Sequence, residues 1–575
     1  MTRSGDGLTS EHSLPPFPPN IATMLVENVA RFDGHPVFQH AAGGSMRPLS
    51  WRRLGNDVIL LQAALAARGV GRGDRVAVLS RNRREMLEIE LAVMSMGAVS
   101  VPIFHGYPAA KAQGLVRFCE PAVVVTADTE QYGKLDSPDE FGAVVVFDPV
   151  GEAAGGNVVR FEELLAGGET SGMEIAGTEV APGAVCLMMY TSGTTGRPKL
   201  VQLTHSNILS QQAAMRVLWK LTEKDRFLSY LPWHHSFGGI FEKFAALSNG
   251  AVLSLEHGYG KDMDVLLENW MRVRPTCFFS VPRVYQEITS RAAGDREVEK
   301  AVFHDELRFI FTAAAPLPKN ISDVFEERGI PVYEGWGLTE TSPCCTVTDP
   351  SIPRDPGVVG KPIPGVSVKL GEDDEILVRG PNVMSGYYRN PVDTERAMLD
   401  EGWFATGDVG AITEAGVRLI SRKDRIFKLS NAEIVIPTEI ENLIVKDCAY
   451  LSHAFVAGSG RDYPVVLLFP NRAMFSRVPD GTSVRDACEC PEAPRDLAHC
   501  LGRCMRRVAD SIDAKYARPR AAMLIDHELS IENEELTPSM KLAPGVVARV
   551  FKADIESLYG SEDPANEKVY VIRLE

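Results

Sequence analysis

Short apolar, mostly β-branched runs alternate with segments of helical periodicity along the first third of the chain. The apolar runs are RVAVLS (75–80), AVVVTA (122–127), AVVVFD (143–148) and AVCLMMY (184–190). Two helical patterns, at 51–69 and 84–97, lie before and between them. Strands that alternate with helices predict parallel sheets covered by helices on both faces. The glycine- and glutamate-rich segment 151–182 is predicted to be a surface excursion.

The pattern changes twice further along the chain. After Gly365 the strands become shorter and turns more frequent, which predicts an antiparallel region. Near Ser421 a separate unit begins, with strand-like HAFVAG and YPVVLLFP followed by a helical pattern over 497–516. We therefore predict an α/β fold with a large N-terminal domain at 21–421, which includes a β-rich subdomain. A small α+β C-terminal domain is expected at 422–575, and residues 1–20 are expected to be a disordered leader.

Composition and charge narrow the possible functions. The chain has 575 residues, of which 45% are hydrophobic and 24% charged, and its formal net charge is −16. This charge argues against non-specific binding to nucleic acid. The N-terminus lacks the apolar core of a secretory signal, and Glu88 and Glu90 interrupt the longest apolar region, so we expect no transmembrane segment. The ten cysteines form no CxxC pair, which favours reduced thiols and a cytoplasmic location.

The stretch YTSGTTGRPKL (190–200) combines glycines and hydroxyl residues between an apolar strand and a predicted helix. Thr204 or Ser206 is positioned to cap that helix. Backbone N–H groups and hydroxyls in such a loop hold phosphate oxygens, and Lys199 adds a mobile positive charge. The stretch is not a Walker A sequence. The alternative is a solvated loop, which the continuation RPK makes less favourable.

YTSGTTGRPK resembles the signature of the adenylate-forming enzymes, which include acyl-CoA synthetases, firefly luciferase and peptide-synthetase adenylation domains. Further segments similar to the family follow in its order, across roughly residues 45 to 555. They are LPWHHSFGGIFE (231–242), SVPRVYQEI (280–288), AAAPLP (313–318), YEGWGLTET (333–341), GYYRNPVDTERAMLDEGWFATGDVG (386–410), SRKDRIFKLSNAEIVIPTEIE (421–441) and LTPSMKL (536–542). The segment 386–410 is similar to fatty acyl-CoA synthetases in particular.

The resemblance implies a two-step reaction. A carboxylate attacks the α-phosphorus of ATP and expels pyrophosphate, and a thiol, usually that of coenzyme A, then captures the acyl-adenylate. The first step brings anionic oxygens together and therefore needs cations and hydrogen-bond donors. ATP or AMP, Mg²⁺ and coenzyme A are the implied cofactors. A hydrophobic carboxylic acid is the implied substrate, because Trp233, Phe237, Gly238 and Gly239 lie in the family's acyl-pocket segment.

The resemblance also assigns roles to single residues. The residues expected to hold the β- and γ-phosphates are Thr191, Ser192, Gly193, Thr194, Thr195, Gly196 and Lys199. Those expected around the rest of the nucleotide are Ala313, Glu334, Gly335, Trp336 on adenine, Gly337, Thr339 on phosphate, Glu340 on Mg²⁺, and Asp408 and Arg422 on ribose. Lys541 is expected to bridge the attacking carboxylate and the α-phosphate, and His235 to border the carboxylate. Each has a structural alternative: Trp336 and His235 as core aromatics, Glu340 as a surface acid, Asp408 as a turn residue.

The second step requires different groups around the same adenylate. The family meets this need by rotating the C-terminal domain. The resemblance places the hinge at Asp424. In the rotated form, Asn431 and Ala432 would line the passage for the pantetheine arm of coenzyme A.

Four positions depart from the family pattern. Leu200, Ala313 and Ala432 stand where the family usually has glycine, and Arg425 stands where it has aspartate. A side chain at a position that needs glycine costs on the order of 1–3 kcal/mol. One hypothesis is therefore a complete ligase in which neighbours compensate. The other is a ligase impaired in adenylation, which accepts an acyl-adenylate from a separate adenylating enzyme.

Three other classes remain as alternatives at this point. A carrier-protein-loading adenylation enzyme is the nearest, a luciferase-like oxygenase is suggested by HHSFGG, and a nucleotide-binding pseudoenzyme is the non-enzymatic choice. The sequence does not distinguish a linear fatty acid from a bulky polycyclic acid, since apolar lining suits both.

Overall fold

The structure is a computed structural model with the mixed α/β architecture that the sequence predicts. It describes residues 7–42, 45–151, 155–166, 170, 172–191, 198–313, 315–355, 357–448, 450–472, 494–537, 541–560 and 569–574. No helix in these ranges is long and apolar enough to cross a membrane.

The first sheet contains eight described strands. Their bounds are β4 Arg75–Leu79, β5 Val99–Ile103, β6 Pro121–Thr126, β7 Ala143–Val146, β8 Val158–Arg160, β9 Val185–Thr191, β10 Lys199–Thr204 and β20 Gly386–Tyr387. Their order across the sheet is β20-β10-β9-β5-β4-β6-β7-β8. The six strands from β9 to β8 in this order run parallel. β10 pairs antiparallel with both of its neighbours, β9 and β20. Val76 and Val78 face one core and Ala77 and Leu79 another, because alternate side chains leave opposite faces of a strand.

The second sheet contains nine described strands. Their bounds are β2 Pro36–Ala42, β3 Ser45–Ser50, β11 Arg226–Ser229, β12 Val252–Leu255, β13 Cys277–Ser280, β14 Phe309–Thr312, β15 Val332–Gly337, β16 Cys344–Val347 and β17 Lys361–Pro362. Their order across the sheet is β17-β16-β15-β14-β13-β11-β12-β2-β3. Its centre is parallel and its edges are antiparallel. The interior is aromatic, with Phe279 and Phe311 packed 5.1 Å apart and Trp219 within 5.4 Å of both.

Helices cover these sheets. Their bounds are α1 Ile21–Phe32, α2 Trp51–Ala66, α3 Arg84–Ser95, α4 Ala109–Cys119, α5 Thr129–Tyr132, α6 Phe161–Leu165, α7 His205–Trp219, α8 Lys243–Ser248, α9 Met263–Val273, α10 Pro282–Gly294, α11 Arg296–Val302, α12 Lys319–Glu326 and α13 Pro391–Ala397. A π-helix, Phe237–Glu242, precedes α8. Thr204 caps α7 with a capping box, as its position in the sequence predicts.

A third, antiparallel sheet contains β1 Gly7–Thr9, β18 Ser367–Leu370, β19 Glu375–Arg379, β21 Phe404–Thr413 and β22 Gly416–Arg422. The expectation of a disordered leader is wrong for residues 7–20, because β1 pairs with β18 and the Leu14 side chain packs against Gly365. The backbone hydrogen bonds of a sheet edge hold a segment that has little apolar content of its own.

The C-terminal part has its own sheets and core. Its elements are β23 Phe427–Lys428, β24 Ile434–Val435, α14 Pro437–Asp447, β25 Leu451–Ala457, β26 Val465–Pro470, α15 Pro494–Ser511, β27 Ala521–Ile525, α16 Pro544–Val550, α17 Lys552–Ser557 and β28 Val569–Arg573. Its buried clusters begin at Leu429, whereas those of the larger part end at Val417. The predicted hinge residue, Asp424, lies in the short segment between them.

Two local expectations need correction. The described parts of segment 151–182 are not only a surface excursion, since β8 joins the first sheet and α6 packs Phe161 and Leu164 into its core. The loop of residues 192–197 does not lead directly into a helix. Strand β10 begins at Lys199 and pairs antiparallel with β9, and α7 begins only after β10.

Candidate active site

A large cleft of about 3010 Å³ lies between the two parts of the molecule. The predicted site residues that line it are Thr191, Lys199, His235, Ala313, Glu334, Gly335, Trp336, Gly337, Thr339, Glu340, Asp408, Arg422 and Lys541. Ser192, Gly193, Thr194, Thr195 and Gly196 lie outside the described residues. The cleft therefore brings together the predicted site residues of both domains.

Trp336, Asp408 and Arg422 form one hydrogen-bonded group on this cleft. The indole Nε1 of Trp336 donates to Oδ2 of Asp408 at 2.8 Å. Arg422 donates to Oδ1 of the same carboxylate at 2.8 Å. Arg422 lies opposite Asp408 because β21 and β22 pair in that register. Trp336 is 7% exposed and Asp408 9%, so the carboxylate is held on both oxygens in a shielded place.

The backbone around Trp336 requires glycine on both sides. A Cβ on Gly337 would lie 1.6 Å from the carbonyl oxygen of Pro343, and one on Gly335 would lie 2.5 Å from the Phe311 ring. Neither glycine has a positive φ, so the requirement is for space rather than for a special backbone angle. These two close approaches fix the path of β15 past the cleft.

Thr339 and Glu340 belong to a one-turn 3₁₀ helix directly after β15. The hydroxyls of Thr339 and Ser236 lie 3.1 Å apart, and the Tyr387 hydroxyl donates to Oε1 of Glu340 at 2.9 Å. The second oxygen of Glu340 makes no hydrogen bond to the described residues. A carboxylate that faces the cleft with one uncommitted oxygen fits a hard cation such as Mg²⁺.

Lys199 is the first residue of β10, at the base of the loop. Its Nζ lies 3.1 Å from Oδ2 of Asp393 and 4.7 Å from the centroid of the Tyr387 ring. The hydrogen bond from Lys199 is the largest cause that lowers the pKa of Asp393. Lys199 and Glu340 are neighbours on the cleft, since Tyr387 contacts both residues.

Lys541 comes from the C-terminal part, on a short hairpin. The backbone N–H of Thr537 donates to the Lys541 carbonyl at 2.8 Å, and Leu536 bridges to Leu542. The side chain is open to solvent within the cleft, yet protein of both parts surrounds it. This surrounding lowers the pKa of Lys541, first by desolvation and then by the charge of Arg422, while Asp408 opposes the shift. Lys541 therefore lies near the Asp408–Arg422 pair.

His235 lies two residues before the π-helix and lines the same cleft as Lys541. Burial, and then the charge of Lys541, lowers the pKa of His235 to about 4. Its Nδ1 accepts from the backbone N–H of Phe237 at 3.3 Å. The neighbouring His234 instead packs against Phe104, with ring centroids 4.6 Å apart. His235 is thus a neutral imidazole at the cleft, and His234 is an aromatic packing residue.

Glu334 is committed to a structural contact. Its carboxylate accepts from the Leu317 backbone N–H at 2.9 Å and pairs with the Arg354 guanidinium. Burial nonetheless raises the pKa of Glu334. The pair holds the segment after Ala313 against β15, so Glu334 shapes the cleft wall as well as lining it.

Asn431 and Ala432 do not line the cleft. Both are exposed at the tip of the β23–β24 hairpin, where Asn431 Oδ1 accepts from the Glu433 backbone N–H at 3.1 Å. Ala432 has a φ of 67°, which is the left-handed conformation that favours glycine. The departure from glycine is therefore strained at this position.

Comparison with protein families decides the class. A family model described as AMP-binding enzyme matches residues 25–388, and one described as AMP-binding enzyme C-terminal domain matches residues 424–488. The chain belongs to the AMP-binding enzyme family. The first match alone spans more than half of the chain.

Relatives of this AMP-binding enzyme extend over nearly its whole length. The chain is 28% identical to Long-chain-fatty-acid--CoA ligase FadD15 of Mycobacterium tuberculosis, over 94% of this chain and 97% of that protein. It is 27% identical to Long chain acyl-CoA synthetase 7, peroxisomal, of Arabidopsis thaliana, over 91% and 83%. The human Long-chain-fatty-acid--CoA ligase 6 is 27% identical, over 84% and 78%.

Solved structures share the fold. O-succinylbenzoate CoA synthetase of Bacillus subtilis, in complex with its acyl-adenylate intermediate, has a TM-score of 0.71 at 20% identity and covers 92% of this chain and 98% of its own. The anthranilate CoA ligase AuaEII with anthranoyl-AMP has a TM-score of 0.73 at 20% identity, over 94% and 98%. At these identities the likeness supports the architecture alone.

The expected strain at Leu200 and Ala313 is absent from this AMP-binding enzyme. Leu200 lies in regular strand β10, opposite Tyr190, and is 1% exposed in the core beside α4. Neither Leu200 nor Ala313 has a positive φ. Arg425 is also accommodated, because it pairs with Glu441 and lies 4.8 Å from the centroid of the Phe455 ring. Leu200 and Arg425 thus have local partners, and Ala313 has no left-handed backbone.

Sequence reasoning missed several residues that contact the site. Tyr387 and Asp393 hold Glu340 and Lys199, and Ser236 contacts Thr339. Tyr387 and Asp393 lie within the segment 386–410, whose resemblance to fatty acyl-CoA synthetases was the available signal. Their partners lie 47 and 194 positions away, so no spacing rule links them.

Proposed function

We propose that the chain is an AMP-forming acyl-CoA ligase that activates a hydrophobic carboxylic acid as its acyl-adenylate and transfers the acyl group to coenzyme A. The observation that carries the proposal is that residues from both parts of the molecule line one cleft. Trp336, Asp408 and Arg422 come from the larger part, and Lys541 comes from the C-terminal part.

In this proposal the hydrogen-bonded group recognises the nucleoside. Trp336 offers an aromatic face for adenine. Asp408 accepts from the ribose hydroxyls, since each of its oxygens has one donor and retains further acceptor capacity. Arg422 then orients that carboxylate through its hydrogen bond to Oδ1. Thr339 and the loop ending at Lys199 bind phosphate oxygens.

The reacting atoms lie between His235 and Lys541. The Lys541 ammonium stabilises charge on the attacking carboxylate and the α-phosphate. A neutral His235 suits this place because a second cation would disfavour the protonated lysine. Glu340 would hold a magnesium ion, which supplies charge neutralisation at the phosphates. Coenzyme A, like magnesium, is proposed on the family's chemistry.

The substrate proposed first is a long-chain fatty acid. Full-length relatives carry that name, and Phe237, Phe241 and Phe311 present an apolar wall to the cleft. A bulky polycyclic acid is the second candidate, because the same wall suits both. The adenylation-impaired alternative loses its physical basis at Leu200 and Ala313, and no comparison supports a separate adenylating enzyme. A cytoplasmic location is proposed as well. Two plant relatives are named peroxisomal, so cell fractionation is the test of this location.

The test is product analysis with the full chain, ATP, Mg²⁺, coenzyme A and a panel of linear and polycyclic acids. We expect AMP, pyrophosphate and acyl-CoA in equal amounts with at least one linear long-chain acid. Lys541→Met should lose at least a hundredfold in the rate of AMP formation, since one directed charge-stabilising group is worth that much. Lys515→Met is the matched control, because Lys515 is exposed in the same part and does not line the cleft. Thioester formation on a carrier protein but not on coenzyme A would contradict the proposal.

A further inference from the structure

An ion pair joins the two parts of the molecule at the cleft. Nζ of Lys111, in the first turn of α4, lies 2.5 Å from Oε1 of Glu534. The two side chains are 26% and 48% exposed. Nζ of Lys111 also lies 4.6 Å from the centroid of the Tyr107 ring, and burial, with the charge of Glu534 as a smaller cause, raises the pKa of Tyr107 to about 12. Three groups therefore converge where the C-terminal part meets α4.

Glu534 lies at the base of the hairpin that carries Lys541. The backbone N–H groups of Glu535 and Leu536 both donate to the Ser530 carbonyl, and the N–H of Ala543 donates to the Glu535 carbonyl. Glu535 is buried, and its carboxylate accepts from the Ser530 N–H at 3.1 Å and from His527 at 2.7 Å. Glu535 thus ties the turn into the C-terminal part, while the adjacent Glu534 reaches the other part.

Through these contacts, the position of Lys111 constrains the position of Lys541. The hairpin is closed by backbone pairing on both sides of residues 536 and 542. Fixing Glu534 therefore restricts where the Lys541 ammonium lies relative to Asp408 and His235. Any rotation of the C-terminal part about the segment near Asp424 separates Lys111 from Glu534, because the two residues lie on opposite sides of that segment.

We propose that Lys111 is a positioning residue for the adenylation step: through Glu534 it docks the Lys541 hairpin on the larger part, and the Lys111–Glu534 pair opens before thioester formation. This inference rests on the proposed function. Lys111 contacts no reacting atom. It acts only on the equilibrium between two arrangements of the C-terminal part: one with the Lys541 hairpin docked on the larger part, and the rotated one in which thioester formation occurs. An ion pair that breaks during each catalytic cycle should be weak. Partly exposed ion pairs such as this one contribute little free energy.

The test measures the two half-reactions separately in the full chain. Adenylate formation is followed in a single turnover with ATP, Mg²⁺ and a fatty acid, without coenzyme A. Thioester formation is followed from preformed acyl-adenylate and coenzyme A. The variants are Lys111→Met, Glu534→Gln, the double variant and Lys111→Arg. Matched controls are Lys300→Met, which breaks an exposed pair with Glu297 within α11, and Glu532→Gln, two residues before Glu534.

We expect adenylate formation to fall about twofold to fivefold in Lys111→Met and Glu534→Gln, the loss typical of one partly exposed pair. The double variant should fall no further than either single variant. Thioester formation should stay unchanged or rise, and Lys111→Arg should retain most of the adenylation rate. Equal losses in both half-reactions, additive losses in the double variant, or no loss beyond that of the controls would overturn the inference. A wild-type chain inactive in both half-reactions would instead overturn the proposed function.

Discussion

The indole nitrogen of Trp336 donates a 2.8 Å hydrogen bond to Asp408, the carboxylate that also accepts from Arg422. Two residues that the sequence separates by 72 positions therefore act as one recognition unit. The ring orients the carboxylate, and the carboxylate fixes the ring. Loss of one member should disturb the binding site of the other.

Trp336→Phe tests this coupling. The substitution keeps an aromatic face but removes the donor to Asp408, and a hydrogen bond to a charged group contributes about 1.5–3 kcal/mol. We expect the dissociation constant for ATP, measured by calorimetry, to rise roughly tenfold or more. Trp403→Phe is the matched control, because Trp403 is also largely buried but stacks on Lys369 and Arg379 outside this group. Unchanged affinity in Trp336→Phe would contradict the coupling.

The pH dependence of adenylation should report the lysine of the C-terminal part. Its pKa is lowered by desolvation and by Arg422, and only the protonated form stabilises anionic oxygens. The rate of adenylate formation should therefore decline as the pH rises, and earlier than for a fully solvated lysine. Lys541→Arg, if it retains measurable activity, should move the decline to higher pH, since arginine stays protonated.

The neighbouring histidine should contribute no inflection between pH 5 and 8, because its pKa is about 4. His235→Asn keeps a polar group of similar size and should leave the alkaline limb of the profile in place. If that substitution removes the limb instead, the titrating group is not Lys541.

Leu200→Gly restores the family residue after the phosphate-loop lysine, yet it should not improve the enzyme. Leu200 is 1% exposed within a strand, so deletion of its side chain should cost about 3–5 kcal/mol of unfolding free energy from the cavity and the glycine together. We expect a lower Tm and no gain in pyrophosphate exchange per folded molecule. Increased exchange would revive the hypothesis of impaired adenylation.

Ala432→Gly should stabilise the protein, in contrast to Leu200→Gly. Ala432 has a φ of 67° and an exposed side chain, so glycine removes strain of about 1 kcal/mol without loss of packing. Hydrogen exchange of the hairpin amides at 427–435 should slow, and Tm should rise slightly. Ala457→Gly, within strand β25, serves as the control and should lower Tm. Faster hairpin exchange in Ala432→Gly would show that the left-handed backbone is not strained.

The sequence predicts β4, β6, β7 and β9 of the first sheet because these strands are apolar runs with mostly buried side chains. Strand β10 was not predicted. It directly follows a stretch rich in glycine and hydroxyl residues, so the local sequence does not indicate the strand that begins at Lys199. β1 has only three residues and depends on β18 more than 350 positions away, so its own composition indicates a disordered segment.

The same distinction applies to the site. Residues within contiguous motifs, such as Trp336 and Asp408, are found by pattern. Lys111 and Glu534 are 423 positions apart and neither lies in a motif quoted above. Their contact depends on how two separately folded parts meet, which periodicity and spacing do not encode.

The central claim is that a carboxylate oxygen of the substrate becomes bonded to the α-phosphorus of ATP. Incubation of the full chain with a fatty acid labelled with ¹⁸O in its carboxyl group, ATP, Mg²⁺ and coenzyme A tests it by mass spectrometry of the released nucleotide. The account predicts one ¹⁸O atom in each AMP formed, and none in pyrophosphate. Unlabelled AMP, or label in phosphate or pyrophosphate, would contradict it.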